Sequence, residues 1–118
     1  MRLHDSLLDR MTPYDLFRLA EDQFGEKDYY GAVATLERLL GESADTGHGL
    51  AAARELLARA YFHAAMLDKA EAASRALLDE EPDNGYAALL LGRTLQRQSR
   101  PEEAERMLAR AEALGQSA

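Results

Sequence analysis

The sequence predicts an all-α protein, in which three antiparallel pairs of helices follow one another as a solenoid. The first observation behind this prediction is that apolar residues recur every three or four positions, which places them on one helix face. The second is an internal repeat, in which a small residue of each first helix precedes an alanine of the second helix by 12 positions. The three copies are Ala20 with Ala32, Ala58 with Ala70, and Gly92 with Ala104.

The middle pair, at 57–84, shows the pattern most clearly. Its two apolar stripes are separated by a short break at 66–68. Ala58 and Ala70 are small, so we expect the two helix backbones to approach closely where they cross. Pro82 is predicted to end the second helix, because proline lacks an N–H and clashes with the preceding turn.

The first pair has a clear start signal. Thr12 is a suitable N-cap and Pro13 suits the first helical position, so the first helix should run from Pro13 to about Phe24. We expect the second helix at 29–40. The glycine-rich segment Gly41–Gly49 should follow as a solvated loop. It acts as an insertion, because the first and second copies lie farther apart in the sequence than the second and third copies do. Loops of this kind often also touch ligands.

The third pair repeats the middle pair at a fixed offset, which carries Ala58 onto Gly92 and Ala70 onto Ala104. Asn84 is predicted to cap its first helix, which should reach about Gln98. Pro101 then starts the second helix, with Ser99 or Arg100 before it. Both helices of this pair therefore have a start signal.

The last helix is predicted to end near Leu114, with Gly115 as its C-cap. In a solenoid each repeat buries a face against its neighbour, and the polar residues 116–118 are too few to cover the last apolar face. We therefore expect part of this face to be exposed and to join a second copy or a partner. The face comprises Met107, Leu108, Ala111 and Leu114.

Residues 1–11 precede the first pair, and their apolar members could share one helical face. These members are Leu3, Leu7, Leu8 and Met11. Two interpretations of the segment remain open. It is either a short helical arm packed on the first repeat or a detachable segment that docks on a partner or on another copy.

Helix pairs with a period of about 34 residues resemble the tetratricopeptide repeat family. The resemblance extends from Pro13 to the C-terminus, and the middle and third copies carry it best. The residues concerned are Leu57-Ala58-x-x-Tyr61 with Ala70 and Pro82, and Leu91-Gly92-x-x-Leu95 with Ala104. The first copy departs from the family pattern at Gln23, where an aromatic residue is usual. Arg54 and Ala88 replace a tryptophan that is frequent in the family.

This resemblance implies one domain over residues 1–118, with an arm at 1–12 and repeats at 13–48, 49–84 and 85–118. It implies a right-handed superhelix and a non-catalytic scaffold that holds a peptide or a helix of a partner protein in its concave groove. The alternative is a structural module that associates with itself through the last helix or the N-terminal arm.

In this family the first helix of each pair lines the groove. The corresponding residues here mix aromatic side chains with arginines, the residue types that anchor binding hot spots. They are Tyr14, Phe17, Glu21, Phe24, Glu55, Arg59, Phe62, His63, Tyr86, Leu89, Arg93, Gln96 and Arg97. Phe17 and Glu21 occupy positions at which some family members bind a C-terminal carboxylate through polar side chains, so that activity is not supported here.

A structural role is the alternative for several of these residues. Phe17, Phe24 and Leu89 could simply fill the space between helices. Arg93 and Arg97 could simply solvate an exposed helix face. The sequence leaves both alternatives open.

The composition argues against several classes of function. The chain has no cysteine, which excludes disulfides and thiol chemistry. Its formal net charge of −7 argues against bulk attraction to nucleic acid or to anionic membranes. No apolar run approaches the length of a membrane span and no signal peptide is evident, so we expect a cytoplasmic protein.

The sequence shows no signal for catalysis or metal binding. His4, His48 and His63 lie far apart and lack the spacing of metal ligands. The acidic cluster at 79–83 lacks the glycine and the ligand rhythm of a calcium loop. Neither a glycine-rich phosphate loop nor a nucleophile motif is present. We therefore expect no enzyme activity, no cofactor and no metal.

Overall fold

A computed structural model describes residues 7–42 and 50–116. These residues include six complete helices of similar length, and the described part of the chain contains no strand. The helices are α1 (Pro13–Gly25), α2 (Tyr29–Glu42), α3 (Leu50–His63), α4 (Leu67–Glu80), α5 (Gly85–Arg97) and α6 (Pro101–Ala113). The predicted all-α class and the succession of helix pairs are therefore confirmed. The handedness of the superhelix stays a prediction.

The chain divides into two compact units, Met1–Leu57 and Ala58–Ala118, and the boundary falls inside α3. The first unit packs α1 against α2. The second unit packs α5 against both α4 and α6. Each unit therefore has a core of its own.

The start of α1 agrees with the prediction. The Asp15 N–H donates to Thr12 Oγ1 at 3.1 Å, and the Thr12 N–H donates to Asp15 Oδ2 at 3.1 Å. This capping box satisfies two N–H groups that the helix itself leaves without a partner. Pro13 follows at the first position, where the absence of an N–H costs nothing.

The core of the first unit contains the small residues that the repeat predicts. Ala20 on α1 and Ala32 on α2 are both completely buried. Gln23, which departs from the family pattern, accepts a hydrogen bond from the buried hydroxyl of Thr35 through its Oε1 at 2.7 Å. A polar pair thus links α1 and α2 at this position.

The start of α2 depends on one glycine. Asp28 Oδ1 accepts a hydrogen bond from the Gly31 N–H at 2.9 Å. A Cβ atom at residue 31 would lie 2.2 Å from Asp28 Oδ2, so any side chain there would displace this cap.

The predicted loop Gly41–Gly49 starts later than expected. Gly41 is helical, and α2 continues to Glu42. Residues 43–49, which include His48, lie outside the described residues, as do 1–6 with Leu3 and His4.

The segment before α1 is held by charge as well as by apolar contact. The Asp9 carboxylate forms an ion pair with Arg38 on α2. Leu8 and Met11 are half-buried, but Leu7 is 55% exposed. Leu7 is therefore not buried with Leu8 and Met11, and whether the four apolar residues share one helical face stays a prediction.

The same turn joins the two helices of every pair. Lys27, Ala65 and Ser99 have left-handed backbone conformations, with φ values of 65°, 61° and 61°. In each copy the N–H of the next residue donates to a carbonyl five positions before it, as from Met66 to Tyr61 at 2.9 Å. These bonds close the preceding helix as in the Schellman motif. The turn recurs at the same two intervals as the small residues of the sequence repeat.

The core of the second unit shows why a repeat position is glycine. A Cβ atom at Gly92 on α5 would lie 2.6 Å from Leu108 Cδ2 and 3.3 Å from the Leu108 backbone nitrogen on α6. The two helices therefore approach so closely that a side chain does not fit without displacing Leu108. The small residues Ala58, Ala70 and Ala104 are also buried, which agrees with the prediction for the remaining copies.

One detail of the later pairs corrects the sequence prediction, and the starts of α5 and α6 agree with it. Leu67 and Asp68, expected in the break, already belong to α4, because the chain reverses at the left-handed residue Ala65. Arg100 is the N-cap of α6 but makes no capping side-chain hydrogen bond, while Ser99 takes the turn conformation. Asn84 caps α5 as expected, since its side chain accepts from the Ala87 N–H at 3.0 Å.

Candidate partner-binding site

Two helices of the second unit bring six of the predicted groove residues together. The surface, which we call the arginine–aromatic surface, combines three arginines, two aromatic rings and one histidine. It consists of Arg59, Phe62 and His63 from α3 and Tyr86, Arg93 and Arg97 from α5. On α5 these residues are separated by seven and four positions, which places them on one helix face.

Arg97 joins the two helices of this surface. Its guanidinium lies 4.8 Å from the centre of the Phe62 ring, a distance suited to a cation–π contact. Its Nη1 also donates to the Phe62 carbonyl oxygen at 2.9 Å. The last carbonyls of a helix have no intrahelical partner and attract positive charge, so the end of α3 favours this arginine.

Arg59 and Arg93 differ in how they are held. The guanidinium of Arg59 lies 5.9 Å from the centre of the Tyr86 ring, and the side chain is half-buried. Arg93 is exposed and makes no hydrogen bond or ion pair with any residue that the structure describes. Arg93 therefore offers a positive charge and a full set of donors to a ligand.

His63 lies at the edge of the surface. Its ring meets the Phe62 ring edge-to-face, with 5.4 Å between the ring centres. Burial of part of the ring lowers the pKa of His63, and the positive charges of Arg59 and Arg97 lower it further. The imidazole is therefore neutral at pH 7, and the positive charge of this surface comes from its arginines.

Two other predicted residues of α5 do not belong to this surface. Leu89 is only 7% exposed and forms part of the core cluster, as the structural alternative proposed. Gln96 is exposed but lines a different groove, between α5 and α6, together with Ala104 and Leu108.

Three of the predicted residues of the first unit, Tyr14, Glu21 and Phe24, have local partners. Tyr14 is 66% exposed, and its hydroxyl accepts from Arg18 Nη1 at 3.0 Å. Glu21 is exposed and lies 4.0 Å from the same arginine. Phe17 and Phe24 are both half-buried, and the Phe24 ring meets Tyr29 edge-to-face at 5.2 Å. Glu55 on α3 is half-buried.

A cluster of ion pairs between α4 and α6 was not predicted. We call it the ion-pair cluster, and it comprises Glu71, Arg75, Gln98, Arg100 and Glu103. Arg100 Nη1 donates to Glu71 Oε1 at 2.8 Å, and Arg75 Nη2 bonds to Glu71 at 2.9 Å and to Glu103 at 3.3 Å. The Arg75–Glu71 and Arg100–Glu103 pairs have local spacings of four and three positions. The pairs that join the two helices could not be read from sequence spacing, because their residues lie 28 or 29 positions apart.

The cluster changes the pKa of both carboxylates. Burial acts to raise the pKa of Glu71, but hydrogen bonds from Arg75, Gln98 and Arg100 outweigh it, and the pKa lies below its ordinary value. The hydrogen bond from Arg100 is the largest cause that lowers the pKa of Glu103. Both carboxylates therefore stay charged in mildly acidic solution.

Part of the predicted face of the last helix is exposed, as expected. Ala111 is completely buried, and Met107 and Leu108 are half-buried against the core cluster. Leu114 is 37% exposed, as expected. Leu108 also lines a groove, together with Gln96, Ala104 and the exposed Ala109.

Two further observations concern the residues that the structure describes. They include no group of three or more histidine, aspartate or glutamate side chains that could hold a metal ion. None of the described helices is long and apolar enough to cross a membrane.

Helix pairs that recur along the chain, each closed by the same turn, define a helical-repeat protein. A family model described as tetratricopeptide repeat matches residues 67–117, from the start of α4 past the end of α6. This match supports the predicted resemblance to the tetratricopeptide repeat family over that part of the chain. Members of this family generally act as scaffolds for protein–protein interaction. Among curated proteins, no sequence matches the chain.

Proposed function

We propose that the protein is a non-catalytic interaction module, and that its arginine–aromatic surface binds a segment of a partner protein. The observation that carries this proposal is Arg93, which is exposed on the same helix face as Tyr86 and Arg97 and has no partner among the described residues. The match of residues 67–117 to a family of interaction scaffolds supports the same class of function.

The chemistry of the surface indicates the ligand. Arginine above an aromatic ring keeps its charge, because a ring attracts a cation without neutralising it. Its planar guanidinium can bind a carboxylate through two parallel hydrogen bonds. Phe62 and Tyr86 add apolar area beside these charges. The matching ligand is therefore a short helix or an extended segment that combines apolar anchors with acidic side chains.

The two parts of such a ligand would contribute differently. Apolar anchors packed against the rings would supply most of the affinity, as is usual for hot spots. Charge pairs at the rim would mainly increase the association rate and fix the orientation. Because the whole chain carries a net charge of −7, attraction of an acidic segment has to be local to these arginines.

The finer parts of the function belong to the same proposal. A concave groove lined also by Tyr14, Phe17, Glu21, Phe24 and Glu55 is the family geometry carried over to this chain. The absence of nucleic acid and membrane partners rests on the negative net charge. The cytoplasmic location rests on the sequence alone.

The test is capture of partners on the immobilised protein, followed by their identification and by binding measurements with each purified partner. The variant Arg93→Glu/Arg97→Glu should weaken a true ligand at least about tenfold at low salt. The control Arg10→Glu/Arg106→Glu changes the net charge equally at exposed arginines outside the surface and should have little effect. Unchanged binding of every identified partner to the first variant would refute this use of the surface.

Self-association through the last helix or the N-terminal segment is the second function predicted from the sequence. Leu114 and Leu7 are both exposed, which leaves apolar side chains at these two places. The mass of the protein in solution distinguishes the two functions. If the protein stays monomeric at tens of micromolar, it does not self-associate through these contacts.

A further inference from the structure

The second unit has an apolar groove that the arginine–aromatic surface does not include. It lies between the end of α5 and one face of α6 and has a volume of about 760 Å³. Pro101, Ala104, Leu108 and Ala109 give it an apolar lining, with Gln96 and Ser99 on the α5 side. Ala104 is buried and Leu108 is packed above Gly92, so the floor belongs to the fixed core.

The charges at the groove all have one sign. Glu105 and Glu112 are its charged lining residues, and both are exposed. Neither makes a hydrogen bond or an ion pair with any of the described residues, in contrast to Glu103 earlier on the same helix. The groove therefore combines an apolar floor with two uncompensated negative charges.

The arginines of α6 do not neutralise these carboxylates. Arg110 is turned away from the groove, since its Nη2 donates to the Pro82 carbonyl oxygen at 2.7 Å. Arg106 lines an adjoining depression with Glu102, Glu105 and Ala109, but it makes no ion pair with any of the described residues. The negative charge at the rim is thus available to a ligand.

We propose that this groove binds an amphipathic basic helix of another protein. From Pro101 to Glu112 the lining face spans about 16 Å, at about 1.5 Å per residue, which matches about three turns of a helix. Small residues such as Ala104 and Ala109 allow a helix backbone to approach closely. A helix in a groove of this kind uses apolar anchors at positions i, i+3, i+4 and i+7.

The carboxylates specify the charge of that helix. Glu105 and Glu112 are seven positions apart, so they lie on the same side of α6, two turns from each other. Lysine or arginine side chains two turns apart on the bound helix would face them. This site is independent of the arginine–aromatic surface, which favours an acidic ligand.

Charge also decides against a second copy of the chain as the occupant. A two-fold contact through this groove would place Glu105 and Glu112 of one copy near the same residues of the other. Like charges at an interface reduce the affinity, and this chain has a net charge of −7. A basic segment from a different protein removes this repulsion.

The experiment uses two labelled helical peptides of about three to four turns. The lysine probe has leucines at i, i+3, i+4 and i+7 with lysines beside them, and the glutamate probe replaces every lysine by glutamate. Fluorescence anisotropy with the full chain should show that the lysine probe binds at least about tenfold more tightly than the glutamate probe at low salt. Equal binding of both probes would overturn the charge assignment.

Variants locate the bound probe. Glu105→Lys/Glu112→Lys and, separately, Ala109→Arg should each weaken the lysine probe at least about tenfold. The control Asp79→Lys/Glu81→Lys makes the same change in net charge at exposed residues outside the groove and should change the affinity less than about twofold. Equal losses in the groove and control variants, or unchanged binding to Ala109→Arg, would overturn the proposal. Circular dichroism checks that each variant is folded.

Two further measurements separate the possible explanations. Arg93→Glu/Arg97→Glu should leave the lysine probe within about twofold, so that this proposal and the proposed function can fail independently. Sedimentation equilibrium of the chain alone tests the competing occupant. A dimer that dissociates in Ala109→Arg would show that the groove holds a second copy, and it would overturn the assignment to a basic helix.

Discussion

The ion-pair cluster and the arginine–aromatic surface lie in the same unit, and both depend on arginine. They differ in the groups that contact the guanidinium. In the ion-pair cluster, Arg75 and Arg100 meet Glu71 and Glu103 at 2.8–3.3 Å. In the arginine–aromatic surface, Arg59 and Arg97 lie over rings, and Arg93 has no partner among the described residues.

This difference indicates how one unit can use arginine for two purposes. Carboxylates neutralise the cluster, so its arginines connect α4 to α6 and contribute to the fold. Aromatic rings position a guanidinium but leave its charge intact, so the surface remains able to bind an anion. The partner of each arginine, rather than the residue type, therefore indicates its role.

Both regions rest on the same packed helices, so the largest expected effect comes from a change in the packing. Ala70 on α4 is completely buried, and Ala70→Leu should overpack the core at a cost of about 1–3 kcal/mol in the free energy of unfolding. The exposed neighbour Ala72 provides the control Ala72→Leu, which should have a small effect. Urea denaturation measures both. If Ala70→Leu unfolds at the same urea concentration as the wild type, Ala70 is not at a tight crossing.

Matched neutralisation of two arginines tests the comparison directly. Arg93→Gln/Arg97→Gln should weaken an acidic, leucine-containing peptide probe several-fold to tenfold, and leave the urea midpoint nearly unchanged. Arg75→Gln/Arg100→Gln should lower the urea midpoint and leave the probe affinity unchanged, because it leaves the carboxylates of the cluster without a compensating charge. If both variants lose stability equally, or if both lose affinity equally, the two pairs of arginines do not have different roles.

The sequence predicted most of the fold because its signals are local. Thr12 with Pro13, Asn84 and Pro101 each mark a helix start by their own chemistry, and all three starts are confirmed. The buried small residues, such as Gly92, follow from a repeat that can be counted along the chain. The turns were harder, because their left-handed positions are occupied by Lys27, Ala65 and Ser99 rather than by glycine.

The candidate site was less predictable because it depends on which side chains meet. The family pattern predicted the positions of Arg59, Arg93 and Arg97, but not that Arg97 would bind the Phe62 carbonyl. Helical spacing alone did not distinguish Leu89, which is buried in the core, from its exposed neighbours on α5. The ion pairs that join α4 to the start of α6 depend on how both helices pack against α5, which no local pattern encodes.

A smaller effect concerns the pH dependence of the ion-pair cluster. The pKa of Glu71 lies below its ordinary value in the fold, so the folded state binds its proton less readily than the unfolded state does. Its contribution to stability is therefore present above the ordinary pKa of about 4.5 and is lost as the pH falls through the lower folded value. Glu71→Gln should lower the free energy of unfolding by about 1 kcal/mol at pH 7. The variant should also lose less stability than the wild type as the pH falls.

Urea denaturation at a series of acidic pH values measures this prediction. Asp79→Asn is the matched control, because Asp79 is exposed on the same helix and has no ion pair among the described residues. The control should keep both the stability and its pH dependence. A Glu71→Gln variant whose stability falls with acid as steeply as the wild type would show that this carboxylate is not the titrating group.

The smallest expected effect concerns His63 at the edge of the arginine–aromatic surface. Its pKa lies below the ordinary value of 6.5, so the ring becomes mainly protonated only below that pH. An acidic ligand favours the charged imidazole, and by linkage protonation should in turn strengthen the binding of that ligand. The same low pKa means that protonation costs the fold stability, so the measurement stays within the range where circular dichroism shows native helix. Between pH 8 and about 5.5, the affinity for the acidic probe should rise a few-fold in the wild type and less in His63→Gln. Identical pH profiles for the two proteins would show that His63 does not contribute to binding. The positive charge of the arginine–aromatic surface would then come from its arginines alone.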